Sequence, residues 1–505
     1  MLLKVKALRL LAGRPIAIVH EDTSKWLNVR AGERVRIKRY GKKQEIVAPI
    51  DITGGTTILN RDEIALSQEI IKALKLKDKE VVEVNLALKP ISVEYIKKKL
   101  NGHHLTFTEI FSIISDIVNN ELTEAEVAYF VSAVYLHGMT IDEIASLTRA
   151  LVKTGNQLKL DKEIIIDKHS IGGVEGNRTT PIVVSIIAAA IDKFKMRAVI
   201  PKTSSRAITS AAGTADVVET IAEVEFNVNE IKNIIKKTNA CLVWGGSLGL
   251  APADDKIIQV ERILSLDPEA QLIASILSKK LSVGATHVLI DISFGKGSKV
   301  PTIKEARELK EKFEKVASKV GLNLIVTLTD GSQPVGNGIG PILSMRDVIK
   351  ILRQEPDRPL DLEKRATFLA STLLSFVLAI PKEKADSIVK EILESKEALK
   401  KFEQIIAAQK GKPEKIDEKL RLSDLSVDIK SDKDGKIVEI SNKKMSRIAR
   451  LAGSPADKSA GIYLHKHVND TVKKNERLFT IYSETKEKLD YAKKIAERIK
   501  PVVVK

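Results

Sequence analysis

Five short apolar runs punctuate the middle of the chain: EIII at Glu163 to Ile166, RAVIP at Arg197 to Pro201, ACLVWG at Ala240 to Gly245, THVLIDI at Thr286 to Ile292 and LNLIVTLTD at Leu322 to Asp330. Stretches with helical spacing, such as TIKEARELKEKFEKVASKVG, separate them. Apolar strands alternating with helices predict a mainly parallel sheet of βαβ type. Ligands of such sheets bind at the carboxyl ends of the strands.

Upstream the pattern differs. VRIKRY and VVEVNLAL alternate apolar and polar positions around the turn cluster DITGGTT, so residues 1–86 predict a β-rich domain. Leu88 to Pro90 reads as a linker. Thr106 with Glu109, Thr123 with Glu126 and Thr140 with Glu143 are T-x-x-E boxes, each marking a helix start. Apolar positions recur at helical spacing in AEVAYFVSAVYLHG and IDEIASLTRALVKTG, so residues 90–160 predict a small all-α domain. Residues 419–505 return to short strands and turns and close with a basic helix. The expected fold is multidomain α/β, with the central sheet domain starting near 161 and a barrel-like α+β subdomain at the C-terminus.

Length agrees, since 505 residues exceed what one hydrophobic core accommodates. The longest greasy stretch, PIVVSIIAAAI, is about half a bilayer span. MLLKVKALRLLAG interleaves charges and lacks a signal-peptide core, and Cys241 alone forms no intrachain disulfide or metal cluster. A cytoplasmic protein without a membrane partner is expected. The net charge of +17 admits a nucleic-acid binder, but lysines mix with glutamates on helix faces, aromatics are only 4% and no recognition module is visible. A Lys- and Glu-rich composition poor in Cys also fits a thermophile. The positive field favours small anions.

The candidate chemistry sits in DKHSIGGVEGNRTT, Asp167 to Thr180, read as a glycine loop between strand EIIID and a helix from about Thr180. Such a loop offers unpaired N–H groups at a helix start. Lys168 adds a charge, and Ser170, Thr179 and Thr180 add hydroxyl donors. Together they suit phosphate, although the loop is neither a Walker A nor a dinucleotide fingerprint. Glu175 lies within it and repels an anion unless it points outward.

DKHSIGGV resembles the signature of the thymidine and pyrimidine nucleoside phosphorylase family. VSAVYLHGMTIDEIASLTRAL, SSRAITSAAGTADVVE, SLGLAPADDK, IASILSKKL and DISFGKGSKVPT resemble further family blocks in order. The N-terminal domain and SSRAIT most resemble the archaeal AMP phosphorylase branch, which converts a nucleoside 5′-monophosphate and phosphate to free base and ribose 1,5-bisphosphate. The resemblance implies phosphate ligands at Lys168, Ser170, Thr180, Ser204 and Thr214. It places nucleotide contacts at His169, Gly173, Ser205, Arg206, Ala207, Ile208, Thr209, Ser210, Thr214, Ser275, Lys279 and Lys299. Asp267 corresponds to the proton donor, inorganic phosphate is the co-substrate, and no metal or cofactor is implied. It assigns about 251–282 to the helical domain, leaves 161–250 with about 283–418 to the α/β domain, and implies a homodimer or larger homo-oligomer.

Val260 stands where pyrimidine enzymes place an arginine, with Arg262 two residues on, and SSRAITSAAGT replaces a histidine- and glycine-rich segment. Both changes argue against a uracil or thymine pocket. Lys299 adds a cation suited to a 5′-phosphate. Other readings stay open. Asp267 before Pro268 also suits a helix cap, and Lys279 with Lys280 also suits a solvated helix end. A pyrimidine nucleoside phosphorylase and a phosphoribosyltransferase are the alternatives, the latter needing an acidic pair that is not visible beside the loop.

Overall fold

The computed structural model describes residues 1–55, 57–264 and 266–505, Leu264 by its backbone alone. Thr56 of the DITGGTT cluster lies outside the described residues. Two units emerge, Met1–Gly155 with Ala251–Ser278, and Asn156–Leu250 with Lys279–Lys505.

In the first unit, β1 (Leu2–Ala7), β2 (Ala17–His20), β3 (Arg34–Arg39), β4 (Glu45–Thr53), β5 (Glu63–Leu66) and β6 (Val81–Leu86) close into a barrel in the order β1-β5-β2-β4-β3-β6. Alternation turns Val35, Ile37, Val82 and Val84 inward, where all four are fully buried. DITGGTT is partly strand, because β4 runs to Thr53.

The helices of this unit begin where their caps are written. Thr106, Thr123 and Thr140 each accept from the backbone N–H of a glutamate three residues on, and each glutamate returns to the threonine N–H. Glu143 does more, accepting from the Leu105 N–H at 2.9 Å and from the fully buried Lys99 ammonium at 2.9 Å. Arg34 of β3 donates to the Glu121 carbonyl at 2.5 Å and the Glu126 carboxylate at 2.8 Å, tying barrel to helices.

The second unit holds a five-stranded parallel sheet in the order β11-β10-β7-β8-β9. Its strands are β7 (Ile164–Ile171), β8 (Ala198–Ser204), β9 (Ala240–Trp244), β10 (His287–Phe294) and β11 (Asn323–Asp330). Each coincides with an apolar run read from the sequence. One boundary differs: β7 continues through Asp167–Ile171, because its ladder with β10 persists to Ile171 opposite Ile292. Lys168, His169 and Ser170 are therefore strand residues, and the loop proper begins at Gly172. The helix Thr179–Lys193 follows, with every residue from Thr179 to Ile191 buried, so its greasy stretch is a core helix.

The C-terminal segment is not barrel-like. With β12, which comes from earlier in the chain, it forms two antiparallel sheets, β12-β15-β17-β13 and β16-β14-β18. These comprise β12 (Gly338–Ile339), β13 (Ser426–Lys430), β14 (Gly435–Ile440), β15 (Gly461–Leu464), β16 (Thr471–Val472), β17 (Arg477–Tyr482) and β18 (Val502–Val504). The edge strands β12 and β16 span two residues each, too few to carry a ladder around to closure. β12 arises inside GNGIG, which reads as a loop. The helices Asn442–Leu451 and Lys486–Ile499 cover these sheets through Met445, Ile448, Ala449 and Ala492, among others. No helix among the described residues is long and apolar enough to cross a membrane.

Candidate functional site

The carboxyl end of β7 sorts its polar residues by the two-residue strand period. Lys168 and Ser170 share one face, and β10 places Asp291 directly beside Ser170. The Lys168 ammonium donates to Ser170 Oγ at 2.6 Å and Thr179 Oγ1 at 2.7 Å, and reaches Thr180 Oγ1 at 3.4 Å. Ser170 and Thr329 each donate to the Asp291 carboxylate, at 2.9 and 2.7 Å. Burial pushes the Lys168 ammonium down to about 8, with Asp291 opposing the shift. An ammonium, three hydroxyls and a helix N-terminus thus converge on one point, a donor set for a tetrahedral oxyanion.

Two further predicted phosphate ligands lie at the same edge of the sheet. Ser204 ends β8, and its buried Oγ has no hydrogen-bond partner among the described residues. Thr214 opens the short helix Thr214–Val218.

On the opposite face of β7 lies a network the sequence reading missed. The fully buried Asp167 carboxylate binds Lys280 at 2.7 Å and Lys202 at 3.3 Å. Burial alone raises that carboxyl, but the two lysines outweigh it and hold it below its ordinary range. Lys280 is pushed down by burial, with Asp167 opposing. His169 shares this face, and burial with the charges of Lys280, Lys202, Lys168 and Lys279 holds its imidazole neutral, well below the ordinary histidine range. A neutral imidazole both donates and accepts, as a purine or pyrimidine edge requires.

Beyond β7 a cavity of about 610 Å³ gathers four predicted nucleotide residues, Gly173, Thr209, Ser210 and Lys299. Gly172, Glu175, Gly297 and one side of the helix Asn442–Leu451 complete its wall. The Lys299 N–H donates to the Gly172 carbonyl at 2.8 Å, which fixes its place beside the loop. Gly172 has φ +145°, and a Cβ there would stand 2.7 Å from Ser293 Cβ and carbonyl oxygen, so only glycine fits. Glu175 also lines this cavity, beside Arg178 and the helix Asn442–Leu451. Its N–H donates to Asn442 Oδ1 at 3.0 Å, and burial raises its carboxyl, with Arg178 opposing.

The loop Ser205 to Ser210 is held from below by Asp216, which accepts from the Ala207 N–H at 2.7 Å and the Gly213 N–H at 2.8 Å. The Arg206 guanidinium donates to Glu219 at 2.6 and 2.8 Å and Glu225 at 2.8 Å, over the Trp244 ring. That bond holds the Glu219 carboxyl down to about 2. Arg206 therefore anchors its loop through protein carboxylates. Ile208 is partly exposed at the tip.

Asp267 and Ser275 belong to the first unit. Asp267 is exposed ahead of the helix Glu269–Ser282, and Ser275 Oγ donates to Asp254 at 2.8 Å. Lys279, half-buried on the same helix, falls in the sheet-bearing unit. Val260 and Arg262 lie on the helix Pro252–Leu264. Among the described residues no three His, Cys, Asp or Glu side chains are grouped to hold a metal.

Three domain descriptions match in chain order. They are the glycosyl transferase family helical bundle domain over residues 93–155, the glycosyl transferase family a/b domain over 162–401, and the pyrimidine nucleoside phosphorylase C-terminal domain over 436–501. The anthranilate phosphoribosyltransferase structure from Thermus thermophilus shares the fold at TM-score 0.53 and 17% identity, over 63% of this chain and 99% of that one. The AMP phosphorylase of Thermofilum pendens is 41% identical over 100% of this chain and 95% of its own length. That of Pyrococcus furiosus is 41% identical over 99% of this chain and 97% of its own. With identity at this level along its whole length, the chain belongs to the AMP phosphorylase family.

Proposed function

We propose that this protein transfers the ribosyl group of AMP from adenine to inorganic phosphate, yielding adenine and ribose 1,5-bisphosphate. The observation that carries the reading is the Lys168 ammonium among Ser170, Thr179 and Thr180 at the end of β7, followed by a cavity containing Lys299. The first site suits inorganic phosphate, the second the 5′-phosphate.

Phosphate is already a nucleophile, so the protein chiefly positions it, an effect worth about 7–11 kcal/mol for well-oriented reactants. As the C–N bond opens the ribose becomes cation-like, and the phosphate held by Lys168, Ser170, Thr180, Ser204 and Thr214 stabilises that charge. The phosphate oxygen forms the new bond to the anomeric carbon, and the departing purine takes a proton, which we assign to Asp267. The neutral His169, with Ser275 and Lys279, supplies base-side contacts. Inorganic phosphate is a co-substrate, and the chemistry requires no metal or cofactor. The functional assembly is a homodimer or larger homo-oligomer formed through the helical region, where Tyr129 and Leu136 lie exposed on one side of the helix Glu124–His137.

Phosphorus NMR of an AMP and phosphate incubation tests the reading. Ribose 1,5-bisphosphate appears if phosphate attacks the sugar. Ribose 5-phosphate as the product would mean hydrolysis and would overturn it.

A further inference from the structure

The helix Asn442–Leu451 does more than cover the C-terminal sheets. Lys443 and Arg447, one turn apart, and Arg450 a further turn on, stand on its side facing the cavity that holds Gly173, Thr209 and Lys299. All three are exposed. Elsewhere in the C-terminal segment Lys488 pairs with Asp457 at 2.5 Å and Lys500 with Asp432 at 2.9 Å. Lys443 and Arg447 have no carboxylate partner among the described residues.

The helix is also fastened to both loops of the cavity. Asn442 accepts from the Glu175 N–H at 3.0 Å and donates to the Gly331 carbonyl at 3.0 Å, which sets the helix start against the loop after β7. Ser446 and Arg450 donate to the Thr209 carbonyl at 3.3 and 3.1 Å, which sets its second half against the loop 205–210. The acid among these groups, Glu175, is buried, and one of its carboxylate oxygens has no hydrogen-bond partner. Four basic side chains, Lys299, Lys443, Arg447 and Arg450, thus share the cavity lining with one acid, Glu175, and stand on anchored backbone.

We infer that Lys443 and Arg447, with Arg450 holding the loop 205–210 against them, form a second wall of the 5′-phosphate site opposite Lys299, so that the C-terminal subdomain helps select nucleotides over nucleosides. This rests on the proposed phosphorolysis of a nucleoside monophosphate. A phosphate monoester carries close to two negative charges at neutral pH, and Arg447 offers it the forked donor geometry that lysine lacks. Inorganic phosphate has the same chemistry, but the buried Lys168 cluster provides its own donors. The wall therefore acts on the nucleotide alone.

Steady-state kinetics of Arg447→Glu and Lys443→Ala, with melting curves as a check on folding, test the inference. In Arg447→Glu the KM for AMP rises by about tenfold or more, reflecting a lost charged hydrogen bond replaced by repulsion. The KM for phosphate stays within about twofold, and adenosine turnover does not fall. Lys443→Ala gives a smaller rise and a flatter dependence of the AMP KM on salt. An unchanged AMP KM in a folded Arg447→Glu protein, or an equal rise in both KM values, overturns the wall. Titration with ribose 5-phosphate compares the same proteins without turnover. If the wild type fails to cleave AMP, the proposed function falls, and the titration still decides the wall: weaker binding in Arg447→Glu upholds it, and equal binding sinks it.

Discussion

Lys168 carries the anion site, and its burial sets a limit on pH. A lysine driven down to about 8 is charged below that value and neutral above it. Because kcat/KM for phosphate reports the free protein, it should fall about tenfold per pH unit above pH 8. Lys168→Arg should remove that limb by keeping the charge, and a wild-type profile flat to pH 9.5 would contradict the role. Asp267 is tested apart from it. Asp267→Asn should lower kcat by about 10²–10⁴-fold with AMP affinity nearly intact, as loss of a general acid does. Unchanged turnover removes Asp267 from the mechanism. The residue types of Lys168, Ser170, Thr179 and Thr180 declared an oxyanion site because they crowd beside glycines in one segment. The partners Asp291 and Lys280 stayed hidden, since Asp291 lies 121 residues from Ser170 and Lys280 lies 113 from Asp167. Only strand order and helix packing bring such groups together. Lys443 and Arg447 were equally silent, because a basic helix reads as a solvated face until its partner loops are known.

Among the elements, the capped helices offer a graded test. Thr106→Ala removes one cap, which costs about 1 kcal/mol. Glu143→Ala also strips the partner from Lys99, both side chains being only 2% exposed, and leaving one charge of a buried pair alone costs about 3–5 kcal/mol. Hydrogen exchange across residues 99–105 and 140–151 reads the difference: strong deprotection in Glu143→Ala and mild local fraying in Thr106→Ala. Equal effects would mean that the buried pair adds nothing beyond its cap. The boxes were legible because capping is local, and the five parallel strands because burial on both faces leaves an unbroken apolar run. The end of β7 was not. Polar residues that close a strand over a ligand site look like loop, and Lys168 to Ser170 read that way. Strands as short as β12 and β16 leave no period to detect, so two sheets passed for a barrel.

At the scale of the whole molecule, the charge of +17 is spread over helix faces rich in paired lysine and glutamate, such as Lys310 with Glu314 and Lys315 with Glu311. These pairs are exposed and contribute little individually. The net field still draws in a nucleotide dianion and phosphate, so kcat/KM for AMP should decline with ionic strength more steeply than that for adenosine. Association of copies has its own test. Leu136→Lys, on an exposed helical face, should shift sedimentation toward the monomer, and an unaltered sedimentation coefficient would place the interface elsewhere. The number of folding units was visible only in outline, since the barrel and the helices share one unit through contacts such as Arg34 with Glu126.

One ratio bears on everything above: release of free base from AMP relative to adenosine, measured with and without inorganic phosphate. Two anion pockets, one for the attacking phosphate and one for the ester, predict phosphate-dependent release of adenine from AMP, with kcat/KM about a hundredfold or more above that for adenosine, as two charged hydrogen bonds to the 5′-phosphate allow. Release that ignores inorganic phosphate, or adenosine serving as well as AMP, would contradict it.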